Sequence, residues 1–581
     1  MLGSNKLVKS VLSCLSLTLA IVSTDSIAEM VSADKVFTNG KIYTVNSAQP
    51  WSESVAINNG KIIYVGDSKS VTKYVGQMTK VIDLEGKMLL PGFIDNHIHP
   101  LAGSLIASGT RLETDSKEEL IARIKKHLQE NPKQDPVISY GWRLNVFPDS
   151  GPTKEELDAI ESDRAVYLWA VDGHSAWVNS KALEVAGVTR DTPDTQPPFS
   201  YFQRDENGDP TGWIVEVPAQ LQVLGKLTDI NTAYVEAGFR NWAEKFSQAG
   251  ITTVFDAGVQ GVTIDEGLSL YQQLEKEGKL GFKTWTSYYW NDPNVDPIPE
   301  LKRVHKEYNS DLVKVLRLKV NVDGGDDKHN AVFITPYSDR EDGWKGEPII
   351  PAETLTKVVT EADAAGFDTY CHCFGDGATR MYLDAVEAAT KQNPTRDRRH
   401  TASHVNFIHP DDLPRFKALN VVADFQTNWA AKDPLLQTIT IRRVGKDRLD
   451  STINPRSVLE HGGRVAISSD WPVAGWSATH EPLVTIQVAV TRQFVNPPRK
   501  PPLGGEKLRL TLDEAIYAHT LGAAYSLGQE ENVGSIEVGK AADLIVLGEN
   551  LFDVDVYDIG KVPVVMTIMN GEIYHQLEKS N

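Results

Sequence analysis

The two ends of the chain share a pattern of short apolar runs that alternate with polar residues. Near the N-terminus the pattern reads KVFTNGKIYTV and SVAINNGKIIYVGD, and near the C-terminus GSIEVGKAADLIVL and VVMTIMNGEIYH. Alternation at every second position is typical of half-buried strands, and the pairs Asn39–Gly40 and Asn59–Gly60 predict tight hairpins. Since neither end has enough strands for its own core, we expect residues 29–88 and 529–581 to form one small β-sandwich domain.

Between the two ends, over residues 89–528, β-rich runs alternate with helical patterns. The β-rich runs begin at positions 89, 251, 282, 315, 367, 400, 421 and 465. The helical patterns include residues 234–248, 267–280, 352–365, 377–391, 411–419 and 512–526. Eight strands, each followed by a helix, is the count of an α/β fold of the (β/α)8 TIM-barrel type, in which polar residues at the C-terminal ends of strands line the active site.

The spacing of the strands indicates a large insertion after the first one. One βα unit takes roughly 30 residues, and His372 and His404 on successive runs lie 32 residues apart. In contrast, 220 residues separate His99 from Lys319, where three units would need about 90. We therefore predict an insertion at about 101–232, folded as a lid over the barrel mouth.

Residues suited to metal binding stand at the ends of these strands. In LLPGFIDNHIHP the two histidines occupy alternate positions, so both imidazoles would point to the same side of an extended segment. Each candidate has an ordinary explanation by itself, such as a packed histidine or a turn cap, but their joint placement on strands one, four, five, six and eight predicts a metal site. The predicted ligands are His97, His99, Lys319, His372, His404 and Asp470.

Lys319 can join this set only in a modified form. An ammonium group cannot bind a metal ion, whereas a lysine carboxylated by carbon dioxide offers two carbamate oxygens. We expect one or two divalent ions, with zinc the expected metal and carboxylated Lys319 as the bridging ligand. The alternatives for this lysine are a solvated position at a strand end or an ion pair.

Composition narrows the range of partners. The 581 residues, 41% of them hydrophobic and 24% charged, are typical of a soluble globular protein with at least two structural units. The net charge of -19 disfavours nucleic acid or an anionic membrane as a partner, so a small-molecule substrate is expected and a homodimer remains open. Cys371 and Cys373 flank His372, and their thiols would face away from it, which predicts no disulfide framework.

Residues 1–28 have the pattern of a secretory signal peptide. Two lysines precede the apolar run 11–22, and small residues stand before a cleavage site at Ala28. The run is shorter than the roughly 20 residues that a membrane-spanning helix needs, which disfavours the alternative of a retained anchor. We expect an exported protein, periplasmic or secreted, with no membrane association after cleavage.

Several stretches resemble one known family. They are LLPGFIDNHIHP, KVNVDGG, CHCFGDGATRMYLDAVEAA, SHVNFIHPDDLPRFKALNVVADFQ, ISSDWPV and VGKAADLIVL, together with DGHSAWVNSKAL and GDPTGWIVE in the insertion. These motifs resemble the amidohydrolase superfamily, specifically the amidohydrolase 3 group that includes N-substituted formamide deformylase-like proteins. The resemblance covers about residues 34–575 and implies that the six residues named above are the metal ligands. Asn96, where a serine is more usual, and the Cys371–Cys373 pair depart from the pattern without removing a ligand.

The resemblance implies metal-dependent hydrolysis of a C–N bond in a small amide, formamide or N-acyl compound. Metal-activated hydroxide would attack the carbonyl, and Asp470 would carry a proton from water to the leaving nitrogen. Within the insertion His174, Asp172 and Trp177 are candidate substrate-binding residues, although His174 could instead be a buried residue that fixes the lid. The tryptophans there, Trp142, Trp169, Trp177 and Trp213, favour an apolar or aromatic substrate group.

Two other classes of function stay open at this point. The same site could hydrolyse a lactone, ester or carbamate, or deaminate a ring. Deaminases usually carry a glutamate just after the strand-five histidine, and here the following residues are Cys373, Phe374, Gly375 and Asp376. The other alternative is a non-catalytic exported protein that binds a metal or a ligand.

Overall fold

The computed structural model describes residues 32–107, 109–229, 231–473, 479–495 and 499–578. The predicted signal peptide lies outside these ranges. Within them, no helix combines the length and the apolar character needed to cross a bilayer.

The two ends of the chain form one β-sandwich of two sheets, as predicted. The four-stranded sheet has the spatial order Lys61–Gly66, Ser54–Asn58, Lys35–Thr38 and Lys80–Asp83. The six-stranded sheet has the order Glu572–Gln576, Val564–Met569, Leu544–Leu547, Met88–Pro91, Lys41–Tyr43 and Trp51–Ser52. Side chains from both ends, such as Phe37, Leu89 and Ile568, are fully buried in the core between the sheets. Burial of apolar surface between distant parts of the sequence therefore holds this domain together.

The two Asn–Gly pairs turn the chain in different ways. Asn59 and Gly60, with φ of 48° and 72°, close a hairpin within the four-stranded sheet. At Asn39 the chain instead crosses from the four-stranded to the six-stranded sheet, so the hairpin predicted there is wrong. A Cβ atom at Gly40 would lie 2.3 Å from Leu84 Cδ1. Close packing between the sheets, rather than hairpin geometry, explains this glycine.

Eight parallel strands form the barrel, and their spatial order follows the chain, which confirms the predicted α/β fold class. They are Phe93–Ile98, Ile251–Asp256, Lys283–Tyr289, Val313–Asn321, Asp368–Cys373, Thr401–His404, Val422–Phe425 and Arg464–Ile467. Just beyond the eighth strand, the Asp470 amide donates to the His97 carbonyl at 2.7 Å, and the His99 amide donates to the Trp471 carbonyl at 2.9 Å. These two bonds join the end of the eighth strand to the first.

The chain passes from the β-sandwich to the barrel later than predicted. Strand Met88–Pro91 pairs antiparallel with Leu544–Leu547 and so belongs to the six-stranded sheet. The first barrel strand begins at Phe93. The boundary therefore lies at Gly92 instead of Leu89, because one apolar run supplies two consecutive strands in different sheets.

Helices surround the barrel. In chain order they are Pro100–Ile106, Thr232–Gln248, Ile264–Lys276, Ile298–Glu307, Ala352–Ala364, Asp376–Gln392, Leu413–Ala418, Pro455–Glu460, Pro482–Thr491, Leu512–Ala518 and Leu521–Ser526. Thr263 begins one of them through a capping box with Glu266, in which each side chain accepts from the backbone of the other residue. The helix predicted over 512–526 is interrupted, since His519 and Thr520 separate two shorter helices.

The insertion folds as a separate layer, here called the lid, between helices Pro100–Ile106 and Thr232–Gln248. Its five-stranded sheet has the order Tyr201–Arg204, Pro210–Val215, Ser175–Val178, Val166–Ala170 and Val137–Trp142. The lid helices are Lys117–Glu130, Lys154–Asp158, Ser180–Ala186 and Val217–Leu227. Lid residues such as His174 and Glu216 line the same cavity as the barrel histidines, so the lid covers the barrel mouth.

Candidate metal centre

The six predicted ligands line one cavity at the C-terminal mouth of the barrel. Each stands at the end of a barrel strand or within three residues of it, where the polypeptide leaves the barrel wall. The residues brought together are His97, His99, Lys319, His372, His404 and Asp470. The convergence is a consequence of the barrel itself, because all eight strands end on the same rim.

Three of these residues form the tightest group. The Nε2 atoms of His97 and His99 lie 3.3 Å apart, and Asp470 Oδ1 is 3.3 Å from the first and 3.4 Å from the second. Asp470 Oδ1 is buried and has no hydrogen-bond partner in the described part of the chain. An unpaired buried carboxylate oxygen is costly unless a cation neutralises it. Two imidazoles and this oxygen therefore fit a divalent metal ion.

His372 and His404 extend the group on its other side. The two ring centroids are 4.2 Å apart, and the His404 ring lies 4.7 Å from that of His97. His404 Nδ1 lies 2.8 Å from Gln426 Oε1, an amide oxygen that can only accept, so this nitrogen carries the proton. The buried Nε2 of His404 has no hydrogen bond with any described residue. Its lone pair is free to bind a metal ion.

Carboxylate and hydroxyl partners orient the remaining imidazoles. Asp323 Oδ1 lies 3.2 Å from His372 Nδ1, and the same carboxylate accepts the backbone N–H groups of Val332, Phe374 and Gly375. His97 Nδ1 lies 2.7 Å from the Ser403 hydroxyl. In both rings Nδ1 is engaged in a hydrogen bond, which leaves Nε2 facing the cavity. Our sequence reasoning missed Asp323, although it stands in the quoted motif KVNVDGG.

Lys319 is buried inside the cluster, with 2% of its surface exposed. Among the described residues, no carboxylate lies within the 4.0 Å ion-pair distance of its Nζ. Burial lowers the pKa of Lys319 to about 8, even though the Asp470 carboxylate acts in the opposite direction. The lysine is therefore neither solvated nor ion-paired, and its lowered pKa increases the share of the neutral amine that reacts with carbon dioxide.

Three histidines of the centre, His97, His372 and His404, are neutral at neutral pH. Burial lowers the pKa of His97, His372 and His404, and the positive charge of Lys319 lowers each further. A metal ion binds only the neutral imidazole. The cavity thus keeps these three imidazoles in the form that a metal ion requires.

Two ligands are held on unusual backbone conformations. His404 has φ of 70° and Asp470 has φ of 56°, the left-handed region that non-glycine residues seldom occupy. Each such residue costs on the order of 1–3 kcal/mol, so the surrounding fold must impose the conformation. Such strain is concentrated at functional sites in proteins, which agrees with the position of both residues at the centre.

The lid contributes a charged histidine to the same cavity. His174 Nδ1 lies 2.6 Å from Glu216 Oε2. Burial lowers the pKa of His174, but the Glu216 carboxylate, with Asp172, outweighs burial and raises it to about 9. His174 is therefore an imidazolium at neutral pH. Glu216 is 1% exposed and has φ of 68°, and the sequence analysis did not single it out.

The other two predicted lid residues differ in their roles. Asp172 accepts from the His174 amide at 2.8 Å and from Lys328 Nζ at 2.7 Å, so it supports His174 beside the main cavity. The prediction that Trp177 contacts substrate is wrong. It is fully buried in the lid core against Trp142, and its indole N–H donates to a lid carbonyl.

The main cavity above the centre has a volume of about 530 Å³. Its outer walls are mostly apolar and include Trp169, Phe199, Leu221, Val259 and Trp290. In the described ranges no arginine lines it, and its one lysine is Lys319 in the metal centre. The walls therefore suit an apolar substituent, as the lid tryptophans suggested, although Trp169 is the only one of those four that lines this cavity.

A family model and several known proteins match this chain. The model described as "Amidohydrolase family" matches residues 80–575, and the chain belongs to that family. Protein LONG AFTER FAR-RED 3 of Arabidopsis thaliana is 29% identical over 552 residues, which cover 93% of this chain and 91% of that protein. N-substituted formamide deformylase of Arthrobacter pascens is 24% identical over 563 residues, which cover 94% of this chain and 98% of that protein.

The fold recurs in solved structures. An uncharacterized metal-dependent hydrolase from Pyrococcus horikoshii OT3 has a TM-score of 0.68 and 24% identity, and the match covers 90% of this chain and 99% of that one. The family match confirms the resemblance drawn from the motifs. The protein is a metal-dependent hydrolase of this family that acts on carbon–nitrogen bonds.

Proposed function

We propose that this protein hydrolyses a small amide, formamide or N-acyl compound at the cluster of six ligands. The observation that carries the proposal is the position of Asp470, whose unpaired Oδ1 lies 3.3 Å and 3.4 Å from the Nε2 atoms of His97 and His99. A carboxylate at this point can both bind a metal ion and exchange a proton with a water molecule in the cavity.

Zinc is the proposed metal, with two ions when Lys319 is carboxylated and one when it is not. The support is the chemistry of the donors, since imidazole nitrogen and carboxylate oxygen suit zinc. The pKa of Lys319, lowered to about 8, favours carboxylation, and its Nζ has no described carboxylate partner to compete. A divalent ion held there supplies Lewis-acid activation of water and of the substrate carbonyl.

Different residues of the chain transfer the proton and stabilise the negative charge that develops on the substrate. Asp470 accepts a proton from the attacking water and delivers it to the leaving nitrogen, since an amine leaves poorly unless it is protonated. The His174 imidazolium, directed from the lid, donates a hydrogen bond to the carbonyl oxygen as negative charge develops on it. Glu216 keeps His174 charged, and the apolar walls exclude bulk water around both groups.

We also propose that the protein is exported and works in the periplasm or outside the cell. The support is the pattern of residues 1–28, with lysines, an apolar run and small residues before a cleavage site. Its proposed partner is a small molecule, and the net charge of -19 disfavours nucleic acid and anionic membranes. Fractionation of cells that express the full chain, with N-terminal sequencing of the product, tests the location.

Metal analysis combined with a substrate panel tests the proposed reaction. The panel contains N-substituted formamides, N-acyl amino acids, lactones and carbamates. We expect turnover of amides that is abolished by a chelator and restored by zinc. Metal-dependent turnover restricted to lactones or carbamates would contradict the proposed substrate class, and a metal-loaded protein without any turnover would favour a binding protein.

A further inference from the structure

A second, smaller pocket adjoins the metal centre, and no part of the proposed reaction uses it. This side pocket has a volume of about 90 Å³ and shares His174, His372, His404 and Asp470 with the main cavity. The main cavity extends toward the loops after the second and third barrel strands. The side pocket lies against the loops after strands five, six and seven, and its walls include Phe374, Asn406, Phe407, Trp429 and Leu436. The metal centre therefore stands at the junction of two spaces of very different size.

The side pocket carries an acid with an unpaired carboxyl oxygen. Asp326 lines the pocket and is 6% exposed, and its Oδ2 has no hydrogen-bond partner in the described ranges. Two other acids on the same wall differ, because Asp172 and Asp327 both accept from Lys328, at 2.7 Å and 2.6 Å. Asp433 accepts from the backbone of the lining loop at 2.7 Å. Among these four acids, Asp326 is therefore the one with an unpaired buried oxygen in the described ranges, and the Asn406 amide oxygen in the same pocket is also unpaired.

The other residues that line the side pocket support the interpretation that Asp326 accepts a hydrogen bond from a ligand. In the part of the chain that the structure describes, neither lysine nor arginine lines the side pocket, and His174 is the one cationic group at its edge. Burial, followed by repulsion from Asp327, raises the pKa of Asp326 to about 7. A donor from a ligand would stabilise the ionised form of this acid, whereas an anionic group would meet an acidic wall.

We propose that the side pocket binds a small group that carries a hydrogen-bond donor, neutral or cationic, on the acyl half of the substrate. Asp326 Oδ2 accepts from this group, and the pocket excludes a carboxylate. This inference rests on the proposed amide hydrolysis and narrows its substrate class. The substrates it selects are amides of short acids with an amino or hydroxyl group, such as glycyl or glycolyl amides.

The sizes of the two spaces indicate which half of the substrate each of them binds. The side pocket, at about 90 Å³, has about a sixth of the main cavity's volume of about 530 Å³, so it suits the smaller half of the substrate. The apolar main cavity of about 530 Å³ takes the larger substituent on nitrogen. With the scissile carbonyl at the junction, the short acyl group enters the side pocket and the amine half occupies the main cavity.

Calorimetric binding of two isosteric amides to the zinc-loaded protein tests the side pocket. Glycinamide and propionamide differ in an ammonium group against a methyl group. We expect glycinamide to bind about tenfold more tightly to the wild type, the scale of a charge-assisted hydrogen bond. In Asp326→Asn the ratio should fall to about threefold or less. Equal binding of both amides by the wild type, or an unchanged ratio in the variant, would overturn the proposal.

Two further measurements test whether a general effect of replacing a buried aspartate, or a failure of the variant to fold, explains the result. Asp376→Asn is the matched control, because Asp376 is a largely buried aspartate with a raised pKa that does not line either space, and it should keep the tenfold ratio. If Asp326→Asn fails to fold, wild-type binding of malonamate decides. Malonamate should bind at least about tenfold more weakly than propionamide does. Comparable affinities of the two compounds would overturn the proposal.

Kinetics separates this inference from the proposed function. The N-benzyl amides of glycine and propionic acid are compared by kcat/KM in the wild type. Hydrolysis of both at equal rates would overturn the role of the side pocket and leave amide hydrolysis intact. The expected binding ratios without hydrolysis of either amide would support the side pocket and contradict the proposed reaction.

Discussion

His174 and Glu216 meet because two lid strands are paired in one register. Ser175 pairs with Val215 across antiparallel strands, so the residues just outside this pair, His174 and Glu216, lie opposite each other at the rim of the cavity. The Glu216 amide donates to the His174 carbonyl at 2.8 Å, and the side chains meet at 2.6 Å. The lid therefore presents a charged donor to a metal centre that belongs entirely to the barrel.

Replacement of Glu216 by glutamine should move the alkaline limit of activity downward. In the wild type the pKa of His174 is raised to about 9, so the imidazolium persists below that pH and is lost as the pH rises through it. Without the Glu216 carboxylate, the pKa of His174 falls toward its ordinary value of 6.5. As the pH is raised, the variant should therefore lose activity at a lower pH than the wild type does. The measurement is the pH profile of kcat/KM.

The control is Glu206→Gln, at an exposed lid position. It should leave the profile unchanged. An unshifted alkaline limb in Glu216→Gln would show that the charge on His174 has no part in the reaction.

Asp470→Asn should retain metal but lose turnover. The amide oxygen can still coordinate a metal ion, whereas the proposed proton carrier is gone. General acid–base catalysis contributes about 10²–10⁴-fold, so we expect kcat to fall by about a thousandfold. Metal content by mass spectrometry and steady-state kinetics are measured on the same sample. Wild-type rates in a variant with full metal would refute the proton-transfer role.

Asp323→Asn should weaken metal binding through His372. The carboxylate that faces His372 Nδ1 and accepts three backbone N–H groups is replaced by an amide that lacks the charge. Loss of such an outer partner typically costs about 10–100-fold in metal affinity. Competition with a zinc chelator measures the change. Asp311→Asn, at an exposed position, serves as the control, and equal zinc affinity in both variants would contradict the assigned role.

Lys319→Ala should lose one equivalent of metal. Removal of the side chain would remove the proposed bridging carbamate, and a short carboxylic acid such as propionate should restore metal and activity by occupying the vacated space. Lys314→Ala on the same strand is the control, because that lysine is only partly buried and does not line the cavity. Full metal content in Lys319→Ala without added acid would exclude the carboxylated lysine.

The barrel and the convergence of its candidate ligands were predictable from sequence because their signals are local. The strands are short β-rich runs, and candidate ligands such as His372 and Asp470 stand at or just beyond the end of one, so counting strands was enough to place them on one rim. The barrel geometry then brings these residues together, because the C-terminal ends of its parallel strands lie on one rim whatever the length of the intervening loops.

The features that could not be predicted depend on tertiary contacts. Glu216 reaches His174 only through the register of two lid strands, and Trp177 faces the lid core for the same reason. The Asn39–Gly40 turn has the sequence of a hairpin, yet packing against Leu84 directs the chain into the other sheet. The left-handed backbone at Asp470 is likewise imposed by its surroundings.

Anomalous diffraction at the zinc edge, from crystals of the zinc-loaded protein, tests the metal centre most directly. We predict a peak about 2.0–2.2 Å from the Nε2 atoms of His97 and His99 and from a carboxylate oxygen of Asp470. A second peak should lie near His372 and His404 when Lys319 is carboxylated. A map with no peak among these six side chains, or with its only strong peak elsewhere, would contradict the account.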